Sequence, residues 1–369
     1  MKVGYSYLSE QFADPRPILA EIGKLVRATD YTLGKPVQEF ERKFAKVIGA
    51  RYAVGVNSGT DALFLALKAA GVRPGDEVIT APNTFVATVG AIVAAGAQPV
   101  FVDIRENDFT IDPARIAKAV TRKTTALLPV HYAGHPADMP AILKIARKHG
   151  LKVIEDACQA IAAEIAGRRV GTFGLAGGFS LHPLKNLNVW GDGGVIVTNS
   201  PSVRDKLMLL RNHGLHGRDE VNLWGYNSRL DSLQAVVGNR LIGDVEWITR
   251  TRIRWANCYD RAFADLVPMV TIPDRRPGLR YVYHLYMLIV KDRDKLLKHL
   301  QDSGIEAKVH YPLPLHLQKA ARTFGYKKGD FPVTEAQARS IITLPVHQHL
   351  TRRQVEYVIR KVREFYGKA

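Results

Sequence analysis

Seven short runs rich in β-forming residues recur along the first two hundred positions, at 52–56, 77–80, 99–103, 126–130, 152–155, 178–181 and 195–198. Helical patterns such as 61–70 and 139–149 lie between most of them. Strands that alternate with helices must bury both faces, and the arrangement that does so is a mostly parallel sheet under helical layers. Gly191-Asp-Gly-Gly194 is a turn signal between the last two runs, so that pair is expected to be antiparallel. Before the first strand, Ile18, Leu19, Ile22, Leu25 and Val26 recur at helical spacing, as do Phe40, Phe44 and Ile48 ahead of a stop at Gly49. After the last strand the pattern predicts one long helix over 231–264, interrupted only by Gly238 and Gly243. Strand-like runs at 281–290 and 305–311 follow, with a helix at 292–301 between them and an amphipathic helix carrying Val355, Val358, Ile359 and Val362 at the end. These predict a large α/β domain over 1–250, which includes the start of a connecting helix, and a small C-terminal α/β domain over 251–369.

At 369 residues and 46% hydrophobic content the chain can build such a core. No stretch reaches the roughly 18 uncharged apolar residues of a membrane span, and the start, Met1-Lys-Val-Gly-Tyr-Ser-Tyr7, lacks the apolar centre of a signal peptide. No membrane association and a cytoplasmic location are the expectations. Two cysteines, Cys158 and Cys258, supply neither a disulfide framework nor a four-cysteine zinc site, and no metal is expected. Cys158 reads as a small buried hydrophobe. The net charge of +17 suits anionic partners. The basic residues are spread along the chain, without interleaved aromatics or helix-turn-helix spacing, so no nucleic acid is expected as partner.

Chemistry concentrates in two places. Lys185 lies in Phe179-Ser-Leu-His-Pro-Leu-Lys-Asn-Leu-Asn-Val-Trp-Gly-Asp-Gly-Gly194, and a strand upstream ends in Glu155-Asp156-Ala-Cys-Gln159. A lysine able to form a Schiff base and an Asp placed to hold a pyridine nitrogen are the pair that pyridoxal 5'-phosphate (PLP) chemistry requires. Alone, each has a plainer reading, as a solvated lysine and a helix cap. The third element is Asn57-Ser-Gly-Thr-Asp61, which follows the first strand and opens a helix. A helix start attracts phosphate; Gly59 allows a tight turn, and Ser58 and Thr60 offer hydroxyls. Its plainer reading is an ordinary N-cap. Phe85 falls at a strand's carboxyl end, where an aromatic could stack on a flat ring or simply fill a core. Gln159 could reach the ring's phenolic oxygen, and Ser180 could supply another phosphate hydroxyl or satisfy a turn.

The order Ser58-Gly-Thr-Asp-Ala-Leu63, Asp156-Ala-x-Gln159, Ser180-x-His-Pro-x-Lys-Asn186 and Gly191-Asp-Gly-Gly194 resembles the DegT/DnrJ/EryC1/StrS family. Tyr31-Thr-Leu-Gly34, Phe40-Glu41, Gly225-Tyr-Asn-Ser-Arg-Leu-Asp231, His310-Tyr-Pro312 and Leu344-Pro345 fit it too, so the resemblance covers nearly the whole chain. It implies a fold-type-I, aspartate-aminotransferase-like PLP enzyme with a mostly parallel seven-stranded sheet and a small C-terminal α/β domain. It further implies transamination of keto sugars, with the cofactor cycling through pyridoxamine 5'-phosphate. By position, Lys185 would be the Schiff-base lysine and proton shuttle. Asp156 would pair with the ring nitrogen, Phe85 would stack on the ring, and Ser58, Gly59, Thr60 and Ser180 would hold the phosphate. Asn227 would reach that phosphate from the other subunit of a homodimer with shared active sites; Arg229, His310 and Tyr311 would lie by the sugar. The plainer reading of Asn227 and Arg229 is a helix-capping turn. Leu181, Asn188 and Trp190 depart from the family's usual residues around the lysine loop.

The expected activity moves an amino group from L-glutamate to an anionic keto-sugar, nucleotide-linked, for an amino sugar of a surface polysaccharide or natural product. A free keto-octulosonate or a keto-sugar phosphate is the alternative acceptor. A pyridoxamine-dependent sugar dehydratase is a second alternative, but such enzymes carry His where this chain has Lys185. A non-catalytic basic regulatory protein is the third.

Overall fold

The computed structural model describes residues 1–368. Its centre is a seven-stranded sheet of β1 (Tyr52–Val56), β2 (Glu77–Thr80), β3 (Gln98–Phe101), β4 (Thr124–Leu127), β5 (Lys152–Asp156), β6 (Ala176–Ser180) and β7 (Gly194–Thr198), in the order β1-β7-β6-β5-β4-β2-β3. From β6 to β3 the pairing is parallel throughout. β7 runs antiparallel to both β6 and β1, with Gly194 opposite Ser180 on one side and Val56 on the other. The carboxyl ends of the six like-directed strands therefore share one edge, and the amino end of β7 meets them there. Burial on both faces explains why these strands read as apolar runs rather than alternating ones. The helix Gly59–Ala69 lies on the sheet with Leu63, Leu65 and Leu67 all but fully buried.

A second core surrounds an antiparallel three-stranded sheet, Val270–Thr271, Tyr286–Val290 and Ile341–Leu344. It is built with Trp255, Tyr259 and Phe263 of the helix Val245–Phe263, Leu296 and Leu300 of Arg293–Asp302, and Val355, Val358 and Val362 of Arg352–Phe365. Val3, at the start of the chain, belongs to this core and bridges to Ile305.

The first two strands coincide with the predicted runs and the other five shift by one to three residues at an end, but several later elements change more. The helix expected over 231–264 is two helices, Ser232–Leu241 and Val245–Phe263, joined by a 3-10 turn at Ile242–Asp244. Gly243 at that joint lowers the helix preference by about 1 kcal/mol relative to Ala. The run 281–290 becomes a strand only from Tyr286, because Tyr283 takes a left-handed φ of 46° and the amides of Val282 and Leu285 bond to Gly134 and Ala133 instead. The run 305–311 forms isolated bridges, not a strand: Ile305 meets Val3, Lys308 exchanges both backbone bonds with Thr343, and Tyr311 has φ 57°. In the helix Arg16–Ala28, Ile18 and Leu25 are buried, whereas Leu19 and Val26 are about half exposed at 50% and 47%. No helix among the described residues is long and apolar enough to cross a membrane.

Candidate active site

At the shared strand edge a cavity of about 290 Å³ opens. Ser58, Gly59, Thr60, Phe85, Asp156, Gln159, Ser180, Lys185, His310 and Tyr311 all line it, although they come from five separate stretches of chain. A larger, open groove of about 870 Å³ between the helices Val245–Phe263 and Arg352–Phe365 contains none of them.

Each lining residue is placed by the local structure. Ser58 is the N-cap of Gly59–Ala69, its Oγ accepting the Asp61 amide at 3.1 Å, so the plainer reading of this motif holds as far as the cap goes. The cap leaves the hydroxyl hydrogen of Ser58 free. Gly59 packs directly against Ser180: a β-carbon on Gly59 would stand 2.6 Å from Ser180 Cβ, closer than any side chain can approach. Asp156 ends β5 and is buried. Its Oδ2 accepts from Thr88 Oγ1 at 2.7 Å and its Oδ1 from the Cys158 amide at 3.1 Å. Gln159 is fixed at both ends, Oε1 accepting the Ala133 amide at 2.8 Å and Nε2 donating to the Tyr311 hydroxyl at 3.2 Å. Tyr311 itself leans over Phe85, ring centroids 6.3 Å apart.

Lys185 sits in the loop between β6 and β7. The backbone anchors that loop: Leu181 N–H donates to Gly193 O, Val189 N–H to Leu181 O, and Lys185 N–H to His182 O. The hydroxyl of Tyr7 donates to Lys185 O at 2.7 Å, tying the start of the chain to this turn. Leu181 is in the core, Asn188 is buried and accepts from Gln11 at 2.7 Å, and Trp190 packs edge-on against Phe12. All three departures from the family pattern thus support the loop from behind. Burial lowers the Lys185 pKa below the usual lysine range, with Cys158 and Asp156 pulling the other way. More of the amine is therefore unprotonated near neutrality than in a solvated lysine.

Three histidines join it. Burial and the nearby lysines 308 and 185 push His310 down to about 4, so it is uncharged at neutral pH; it lies 2.9 Å from Thr343 Oγ1 and 3.2 Å from Tyr5 OH. His284 is held well below its ordinary value by burial and then by the charges of Lys185 and Arg252. His182 is lowered by burial and by Lys185.

Asn227 and Arg229 are not brought to this cavity. Asn227 is exposed and bridges to Asn212, while Arg229 donates to Asn212 Oδ1 at 3.1 Å. Cys158, expected to be a buried hydrophobe, is instead part of the cavity wall, and burial raises its thiol well above the usual range. Sequence reasoning missed Tyr5, Thr88 and His284, which also line the cavity. Thr88 had a usable signal, since it is three residues beyond Phe85 on a helix face. Tyr5 had none, as nothing local predicts that it crosses to His310, 305 residues away.

A cavity that joins one amine, one buried carboxylate and a hydroxyl-lined helix start invites comparison with known proteins. The DegT/DnrJ/EryC1/StrS aminotransferase family model matches residues 15–363. The chain is 42% identical to the pleiotropic regulatory protein of Geobacillus stearothermophilus, over 99% of each chain. It is 41% identical to the dTDP-3-amino-3,4,6-trideoxy-alpha-D-glucose transaminase of Streptomyces venezuelae, over 94% of this chain and 91% of that one. The crystal structure of S. venezuelae DesV in complex with a ketimine intermediate superposes with a TM-score of 0.96 at 39% identity, covering 100% of this chain and 99% of the other. A family match across nearly the full length, a shared fold and the convergence of the family's motifs on one cavity lead to one conclusion: the chain belongs to the DegT/DnrJ/EryC1/StrS aminotransferase family.

Proposed function

We propose that the protein is a PLP-dependent aminotransferase that carries an amino group from L-glutamate to an anionic, nucleotide-linked keto-sugar. The observation that carries this reading is the cavity itself, where Lys185 is the only lysine among the described lining residues and Asp156 the buried carboxylate. The residues fit the cofactor. Gly59 opens its helix hard against Ser180, where no β-carbon would fit, and Ser58, Thr60 and Ser180 line the cavity around that helix start, so amides and hydroxyls are offered together to a phosphate. When bound, PLP supplies a carbonyl carbon that reacts with amines and a pyridine ring that takes up an electron pair.

The chain's own residues do the rest. Ser58, Gly59, Thr60 and Ser180 would hold the phosphate, and Asp156 would hold a proton at the ring nitrogen. Phe85 would cover one ring face. Gln159 has one amide hydrogen left beyond its bond to Tyr311, available for the ring's phenolic oxygen. Lys185 Nζ would take and return the proton at the substrate carbon, a task suited to an amine whose pKa is drawn toward neutrality. His310, Tyr311 and Tyr5 would face the sugar as uncharged hydrogen-bonding groups. The substrate class is supported by the transaminase relative's dTDP-sugar and by the net charge of +17, which attracts anions. Lys185 speaks against the dehydratase alternative, and a cavity that holds the lysine, the buried carboxylate and a hydroxyl-lined helix start together speaks against a non-catalytic regulator.

The test separates the two half-reactions. With L-glutamate the loaded protein should lose its visible absorbance. A panel of dTDP-, UDP- and GDP-linked keto-sugars, beside keto-sugar phosphates and a free keto-octulosonate, should show which acceptor restores it. Restoration only by a compound without a nucleotide would overturn the carrier; restoration by no keto-sugar would overturn the sugar.

We also infer a homodimer with shared active sites. Asn227 and Arg229 lie outside their own chain's cavity, next to Trp224, which is 90% exposed. Val221 and Tyr226 in the same segment are also exposed, at 48% and 38%, and large apolar side chains grouped in water mark a surface that meets a partner. Mixing inactive Lys185→Ala and Asn227→Ala chains should then restore about a quarter of wild-type activity, since half of a random C2 population is mixed and each mixed dimer has one intact site. A fully active monomer in size-exclusion chromatography would refute this.

A further inference from the structure

A pair of threonines lies behind Asp156, and their direction of donation is fixed. Thr84 Oγ1 is 2.8 Å from Thr88 Oγ1, and Thr88 Oγ1 donates to Asp156 Oδ2 at 2.7 Å. Both hydroxyls are buried, each residue being 1% exposed, and Asp156 is 4% exposed. Thr88 has a single hydroxyl hydrogen. Because it goes to the carboxylate, the hydrogen in the Thr84–Thr88 contact must come from Thr84. The chain therefore runs Thr84 to Thr88 to Asp156, and each link polarises the next. Thr84 immediately precedes the N-cap of the helix Val86–Ala94 and Thr88 is in its first turn, so one helix start positions both. The Cys158 amide donates to the other oxygen, Oδ1. Among the described residues Lys185 is the one lysine that lines the cavity with this carboxylate, and burial keeps Cys158 and Tyr311 uncharged, so neither adds negative charge beside it.

Donation to a carboxylate oxygen favours its charged form, and donation to a charged group is stronger than between neutral ones. We propose that Thr84 and Thr88 are positioning residues that keep the proton shared by Asp156 and the ring nitrogen of bound PLP on the nitrogen. This rests on the PLP reading above. The step concerned is a single proton transfer, from ring nitrogen to Asp156 Oδ, with no change in electron count. The hydroxyl chain and the Cys158 amide act through the two carboxylate oxygens, where both donate to Asp156.

The experiment uses the holoenzyme, reconstituted with PLP labelled with ¹⁵N at the ring nitrogen and read by NMR. In wild type the nitrogen signal should sit at the protonated value. Thr88→Val keeps the shape and removes the donor, and the signal should move toward the unprotonated value, with the ratio of the two proton positions changing roughly tenfold, the equivalent of one hydrogen bond to a charged group. Thr88→Ser should restore the wild-type signal, which a residue needed only for packing would not require. Thr84→Val should move it in the same direction by less. If Thr88→Val does not fold, Thr84→Val alone decides. An unmoved signal in a valine variant that still holds the label overturns the hydroxyl chain and leaves the PLP reading intact. A wild-type protein that does not retain the labelled cofactor through gel filtration overturns both.

Discussion

Lys185→Ala should abolish transamination, by about 10⁴-fold or more, the upper range for loss of a positioned general acid–base, with loss of the covalent tie in addition. The variant should purify colourless where the wild type is yellow. Borohydride treatment of the wild type should fix the cofactor to one peptide, the one that contains Lys185. The fold should be unaffected for a specific reason. The lysine loop is secured by backbone groups, including Tyr7 OH to Lys185 O and Lys185 N–H to His182 O, and none needs the side chain. The amine is also a group that burial disfavours in its charged form, so removing it costs no buried ion pair. Ser58, Thr60 and Ser180 remain in place, so the variant should still bind pyridoxamine 5'-phosphate. A reduced adduct on another lysine, or activity within tenfold of wild type, would sink the assignment.

How much of this was legible in the sequence follows from where the information lies. The α/β layer was readable because five of the seven strands are followed by a helix of their own, a pattern that local residues determine. The motif proposed to hold phosphate and Asp156 were readable because each sits at or just after the end of a strand, and Lys185 because its loop starts from another such end at Ser180; like-directed strands bring those ends together. Elements whose backbone bonds go to distant partners were not. Tyr283 and Tyr311 look like strand residues, yet both take left-handed φ, and around Tyr283 the amides of Val282 and Leu285 answer to Gly134 and Ala133. Tyr5 is brought to the cavity by a chain start that lies across the second core. A hydroxyl chain such as Thr84–Thr88–Asp156 has half a sequence motif, the i,i+4 pair, and its other half is 68 residues away. Asn227 and Arg229 were legible through resemblance alone, and the single chain shows only that their own cavity does not include them.

The neighbouring carboxylate provides the second large effect, and it is one of stability. Glu155 and Asp156 are adjacent in β5, so their side chains leave opposite faces of the sheet. Asp156 turns toward the cavity; Glu155 is 0% exposed and turns toward the loop after β5. Its Oε1 accepts the Phe173 and Gly174 amides, each at 2.7 Å, and its Oε2 accepts the Gly171 amide at 2.7 Å. His131 Nε2 lies 3.0 Å from Oε2, and because the Ala137 amide donates to His131 Nδ1, the ring hydrogen is on Nε2 and points at Glu155. Four donors thus converge on one buried carboxylate. Glu155→Ala would orphan all four, at about 1–3 kcal/mol each, against a total stability that for most domains is only about 5–15 kcal/mol. We expect the alanine variant to be unfolded or insoluble. Glu155→Gln keeps the shape, but its amide group turns two hydrogens toward donors, so it should melt far below wild type and unfold at lower urea. His131→Ala removes one donor of the four and should cost much less. Asp156→Ala, by contrast, should fold and fail to hold the cofactor's spectrum, because its partners are a hydroxyl and one amide that border a cavity. Measured by urea titration and visible absorbance on the same preparations, the two adjacent carboxylates should separate cleanly into one required for folding and one required for colour. A Glu155→Gln protein as stable as wild type would show that the loop at 171–174 is held by something other than this carboxylate.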